Sequence, residues 1–207
     1  MNGNIREFFC SFLKSNGGLS ALVISVLLSF GIASTVGIVP EVLSDRYARL
    51  YHGYTGAPCY SFGHELMPKA CLAGGDDAQT GSSWMSFIQN MLIFAFNAVI
   101  GRQSDVLGRR GFLIAAIFLF TLAPIVLVMM QCMPHLDPFW YYAANSSTGI
   151  ISYMAIMFAA MSDSFPEKFR AASFAVIMAG FYCGFCLAPS VVLYVSHRSA
   201  SWLSALL

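Results

Sequence analysis

The sequence predicts an all-α membrane protein with five complete transmembrane helices and a sixth that is cut short. Of 207 residues, 57% are hydrophobic and only 10% are charged, whereas a soluble domain carries about 25% charged residues. Five stretches contain no Asp, Glu, Lys or Arg: Lys14 to Glu41, Asp77 to Arg102, Arg110 to Asp137, Asp137 to Asp163 and Arg170 to Arg198. Each of these gaps is at least 24 residues long. A helix needs about 20 apolar residues to cross about 30 Å of hydrocarbon, and it satisfies its own backbone where lipid cannot. Buried helices of a soluble protein are the alternative, and five runs above roughly 18 residues argue against it.

The first span is expected over Leu19–Val39. It starts late, its apolar run is long, and no small-residue cleavage site precedes a soluble domain, so it does not read as a signal peptide. A long extracytoplasmic loop, 41–81, is expected next, rich in Gly, Pro and acids. Its Cys59 and Cys71 could form a disulfide in an oxidising compartment. Two free thiols are the alternative, because sequence does not give the Cα separation a bridge needs. His64-Glu65 in the same loop has no second matched histidine, so no metal or catalytic role is assigned to it. The remaining spans are expected at Ser82–Gly101, Gly111–Met133, Phe139–Met161 and Ala171–Val195. Ser199–Leu207 would reach only about 13 Å as a helix. The chain therefore reads as one transmembrane domain, 1–207, that is partial or truncated.

Lys and Arg concentrate on cytoplasmic loops. With the N-terminus cytoplasmic, that side holds Arg6, Lys14, Arg102, Arg109, Arg110, Lys168 and Arg170. The other side holds Arg46, Arg49, Lys69 and Arg198, seven residues against four. A multi-pass chain with a cytoplasmic N-terminus is expected. Acidic and basic residues nearly cancel, so net charge says nothing about partners; no basic stripe points to nucleic acid, and no nucleic-acid partner is expected.

Between the second and third spans lies Gly101-Arg-Gln-Ser-Asp105-Val-Leu-Gly108-Arg109-Arg110. The two glycines permit backbone angles closed to other residues, as a tight reversal requires. Asp105 and Arg109 are four apart and can pair if the segment is helical. An ordinary positively charged loop would explain the arginines but not Asp105 or the glycine spacing. Every fixed position matches G-x-x-x-D-x-x-G-R-[KR], the loop motif of the major facilitator superfamily, which the chain resembles. After the fourth span, Asp163-Ser-Phe-Pro166-Glu-Lys-Phe-Arg170 is similar to that family's D-x-x-P-x-x-x-R connection. Pro166 disfavours helix before it; a solvated loop is the plain alternative.

In the fifth span, Gly180, Gly184, Ala188 and Pro189 resemble the family's antiporter motif, with Ala188 standing where the motif has glycine. Small residues at this spacing also serve simple helix packing. Cys183 and Cys186 form a C-x-x-C inside this apolar helix without a second pair, so no metal or redox role is expected. In the fourth span Asn145 occupies the place of the arginine that proton-coupled members carry in R-x-x-x-G. Asn145-Ser-Ser147 fits a glycosylation acceptor but lies inside the expected span. The segment from Gly101 to Met129, including Thr121-Leu-Ala-Pro124-Ile, and the aromatic entry Phe139-Trp-Tyr-Tyr142 look like the tetracycline-efflux and hippocampus-abundant-transcript branch. The resemblance runs from about Leu19 to Ser196 and is closest between Trp84 and Phe120.

The resemblance implies the N-terminal helical bundle of a major facilitator superfamily fold. It also implies secondary active transport of a small solute by alternating access. By that resemblance Gly101, Asp105, Gly108, Arg109 and Arg110 act in gating, with Asp163, Pro166 and Arg170 on the second cytoplasmic loop. No charge lies at a helix centre, where it would mark a pathway. Uncharged polar residues remain: Ser34 and Thr35 in the first span, Asn90 and Asn97 seven apart in the second, and Asn145, Thr148 and Ser152 in the fourth. They are candidates for a substrate cavity; hydrogen bonding between helices is the alternative. Glu41 is the nearest acid to a helix end. The partners implied are the lipid bilayer, a small-molecule solute, a coupling ion (a proton or another) and a second half-transporter chain. No cofactor and no metal are expected. A non-transporting membrane fragment that acts as regulator or assembly partner is the rival reading. An intramembrane enzyme is disfavoured, because neither H-E-x-x-H nor G-x-S-x-G occurs.

Overall fold

The computed structural model describes residues 2–14, 17–62 and 67–206; the His64-Glu65 pair lies outside them. No strand occurs among the described residues. The chain divides into two compact units, residues 1–36 with 158–207, and residues 37–157.

The unit holding both termini begins with α1 (Asn2–Lys14). Its apolar residues Ile5, Phe8, Phe9, Phe12 and Leu13 recur with helical period, which makes it amphipathic. Phe8 and Phe12 are buried. Their rings lie 5.5 Å from those of Phe169 and Phe165, and the Lys168 ammonium reaches the Glu7 carboxylate at 2.7 Å. Next comes α2 (Gly18–Val36), which stops three residues before the expected end of the first span. Pro40 is the cause: it has no N–H to donate to the Val36 carbonyl, and its ring crowds that oxygen. The last helix, α8 (Glu167–Leu206), runs for 40 residues. The separate sixth element expected at Ser199–Leu207 is therefore corrected. The Ser196-His-Arg198 link contains no Gly or Pro to stop a helix, and α8 continues through it.

The unit 37–157 opens with α3 (Ile38–Tyr51), packed against the start of α4 (Lys69–Leu107). The stretch 41–81, expected as a loop, is instead a helical hairpin. Several of its charges have partners within the fold. Arg49 meets Asp45 at 2.8 Å, the Cys59 N–H donates to Asp45 at 2.9 Å, and the His52 imidazole lies 2.8 Å from Asp77. Arg46 donates to the Met130 and Pro134 carbonyls. Those contacts satisfy acceptors left open where α5 (Arg109–Cys132) ends, and burial pulls the Arg46 pKa down. The Tyr51 hydroxyl donates to Asp137; this bond, with burial second, pushes the phenol up to about 12.

Cys59 and Cys71 are joined as a disulfide with Cα atoms 5.6 Å apart. Cys59→Ser is expected to cost about 2–3 kcal/mol, confined to this hairpin. Hydrogen exchange tests it. Faster uptake across 45–75 is expected, and unchanged uptake there would count against the clip.

α4 is 39 residues long, so it reaches about 58 Å at 1.5 Å per residue and overshoots the expected second span at both ends. The expected single helix over Phe139–Met161 is also corrected. It is broken into α6 (Phe139–Ser146), a 3-10 turn at Ser147–Gly149, and α7 (Tyr153–Ser164). Among the described residues, four helices are long and apolar enough to cross a membrane: Gly18–Val36, Lys69–Leu107, Arg109–Cys132 and Glu167–Val192. Five complete spans and a truncated sixth are not confirmed among the described residues.

Candidate gating and transport site

The turn between α4 and α5 is a single residue, Gly108, with φ +91°, a conformation that side chains with a Cβ rarely adopt. Gly101 needs no such freedom, since it lies inside α4 with open space beside it. The expectation that both glycines serve the reversal is thus met only at Gly108. The last turn of α4 is helical, so Asp105 and Arg109 do meet, at 2.6 Å. Arg109 also donates to the Ser104 hydroxyl at 3.2 Å, and Ser104 is fully buried. Asp105 itself is 60% exposed while Arg109 is 20% exposed. One face of the acid is therefore open to a further partner. Arg102 and Arg110 are exposed.

In the other unit, α7 ends at Ser164 and Pro166 immediately precedes α8. Arg170 reaches back over this turn, donating to the Ser162 carbonyl at 3.2 Å and lying 3.7 Å from Glu167. On α8, Ala188 is fully buried, and a Cβ at Gly180 or Gly184 would run into Leu22 or into Ser29 and Val26 of α2. Cys183 and Cys186 are exposed free thiols.

The polar residues expected to line a cavity divide into three kinds. Ser34 and Thr35 bond to Gly31 and Ile32 carbonyls of their own helix, both at 2.8 Å. Asn145, Thr148 and Ser152 do not share the face of one helix, because that helix is broken there. Ser147 and Thr148 donate to the Ala144 and Asn145 carbonyls at 2.6 and 2.8 Å. Short polar side chains of this sort compete with the helical ladder. The break is fastened to α4: Gln89 donates to Thr148 at 2.7 Å, Ser146 to the Met85 carbonyl at 3.3 Å, and Asn145 to the Met85 sulfur at 2.9 Å. Gly149 permits the contact, since a Cβ there would sit 2.4 Å from the Gln89 carbonyl oxygen. Ser152 caps α7, accepting from the Ala155 N–H at 3.4 Å. Thr148→Val should cost about 1 kcal/mol, visible as a lowered thermal midpoint in detergent, with Gln89→Leu adding little on top of it.

The third kind is Asn90 and Asn97. Both are exposed on α4, and Asn90 bonds only back to the Ser86 carbonyl, at 2.8 Å. They lie seven residues apart and form an exposed polar stripe on α4. On the opposite face of α4, at about 100° per residue, lies a pocket of about 460 Å³ between α4 and α6, which Tyr47 of α3 also lines. None of the residues expected to line a cavity borders this pocket. Its signal was in the sequence only as the α4 spacing Gly81, Trp84, Met85, Ile88 and Leu92, which also fits a lipid-facing stripe.

The chain matches the Major Facilitator Superfamily over residues 21–207. The chain belongs to that family. Among curated proteins, this family member is 29% identical over 146 residues to the hippocampus abundant transcript 1 protein of Mus musculus, covering 70% of the chain and 27% of that protein. It is 29% identical over 186 residues to the hippocampus abundant transcript-like protein 1 of Rattus norvegicus, covering 89% of the chain and 33% of that protein. The chain thus spans a third or less of the relatives it matches. No solved structure matches it.

Proposed function

We propose that this Major Facilitator Superfamily chain is part of a secondary transporter that moves a small solute by alternating access, with its N-terminus in the cytoplasm. The Asp105–Arg109 pair, held at 2.6 Å on the one-residue turn after α4, carries this reading. It places a half-exposed carboxylate beside a fixed cation, ready to exchange partners as a gate opens and closes. Support also comes from the polar break between α6 and α7. Transporters of several folds place solute sites at interrupted helices whose irregular backbone lines a cavity.

The chain's share of its relatives' length leads us to propose that the cycle is completed with further polypeptide, whether continuous with it or a second half-transporter chain. A regulator or assembly partner is the second reading, favoured by the same fractional length. Reconstituted flux separates the two. The assembly containing this chain should carry a member of a small solute panel into liposomes, and an assembly transporting equally well without the chain would overturn the proposal. Cysteine labelling at position 103 should occur only from the cytoplasmic side; labelling from outside would overturn the orientation.

A further inference from the structure

We infer that the pocket between α4 and α6 binds an uncharged, ring-bearing, largely apolar small molecule; resting on the transport reading above, this is the solute class carried. The pocket holds about 460 Å³, within the range of roughly 300–1,000 Å³ that takes drug-sized ligands. Its lining on α4 runs from Gly81 to Leu92, eleven residues apart, a rise of about 16 Å. No Asp, Glu, Lys, Arg or His lines it.

Three of its four hydroxyls already donate elsewhere. The Tyr142 hydroxyl donates to the Ala78 carbonyl at 2.9 Å, Ser146 to Met85 and Ser147 to Ala144. Lone pairs and two donors, the Tyr47 hydroxyl and the Trp84 indole N–H, remain for a ligand, so it can donate one or two hydrogen bonds and accept no more than two. An anion or a polyhydroxylated solute would lose its hydration here without replacement. The rings of Trp84 and Phe139 line it and are more than half exposed. Aromatic faces in that position favour stacking on a flat ring system. Ser146, Ser147 and Ile150 also line it, which places the pocket against the helix break.

The test uses the chain in nanodiscs with Trp140→Phe and Trp202→Phe, which leave Trp84 as the sole indole. The probe is 1-aminoanthracene, uncharged at neutral pH. Saturable quenching of Trp84 is expected. Ala143→Phe, which fills the pocket from an exposed position, should weaken binding at least tenfold, and Leu92→Phe should do the same from the other end. Ile114→Phe, on the exposed side of α5, should leave binding unchanged. Anthracene-9-carboxylate should not compete. Quenching that never saturates, or that all variants share, would mean partition into lipid or an acyl chain in the groove and would overturn the inference, as would equal competition by the anion. Aminoanthracene flux by the full assembly keeps the two readings apart. Saturable binding without flux upholds the pocket and overturns transport of this class; flux that Ala143→Phe leaves unchanged overturns the pocket and upholds transport.

Discussion

Gly184→Leu is expected to lower the thermal midpoint of the chain in detergent by roughly 6–12 °C, whereas Gly31→Leu should move it by no more than about 2 °C. At position 184 even a Cβ would sit 2.0 Å from the Ser29 hydroxyl, 2.5 Å from the Val26 carbonyl oxygen and 2.9 Å from the Phe30 nitrogen. Two of these atoms are backbone and cannot turn aside, so α2 and α8 must separate. In lipid no hydrophobic force pulls them back, because association there depends on close packing. Overpacking of this kind costs about 3 kcal/mol or more, and at this chain length each kcal/mol shifts the midpoint by about 2–4 °C. Position 31 lies on the same α2 but faces open space, which separates the effect of added bulk from that of the contact. Equal losses in the two variants would show that α2 and α8 do not meet through Gly184.

Asp105→Asn is expected to reduce solute flux by more than tenfold while leaving membrane abundance and thermal stability within measurement of the wild type. The acid is 60% exposed, so losing its charge removes little from the fold; exposed pairs contribute only about 0–1 kcal/mol. The functional cost is different in kind. Asparagine keeps the shape of the side chain but gives Arg109 a neutral partner, and a charge-assisted bond is roughly twice as strong as a neutral one. The affected step is the exchange of partners at the gate, so the loss should appear in maximal flux more than in apparent solute affinity. Asp105→Glu should recover part of it. Wild-type flux in Asp105→Asn would remove the gating role from this turn.

The spanning helices were legible because lipid imposes a rule that composition cannot hide. Long charge-free runs located α2, α4, α5 and α8, and the spacing from Asp105 to Arg109 located the turn at Gly108. The break after Ser146 was not legible. Hydropathy averages over Ser147, Thr148 and Gly149, while their effect comes from side chains bonding to nearby carbonyls and from Gln89, some sixty residues away. The hairpin of α3 and α4 was hidden for the opposite reason. Its charges signalled a loop, yet Asp45, Arg49, His52 and Asp77 have partners on the helices themselves. The first helix, α1, was overlooked because thirteen residues cannot span a bilayer. Its only mark is the helical spacing of Phe8 and Phe12. The pocket beside α6 depends on Tyr47, Trp84 and Tyr142 coming together, and nothing local to any of them announces it.

Because α4 is one uninterrupted helix, it acts as a lever between the disulfide-anchored hairpin at its beginning and the ion-paired turn at its end. Tilting such a rod by about 5° around its midpoint moves each tip by roughly 2.5 Å, in opposite directions, for a rise of 1.5 Å per residue. That displacement is enough to break a salt bridge at one tip in answer to a push at the other, with no signal passed from side chain to side chain along the way.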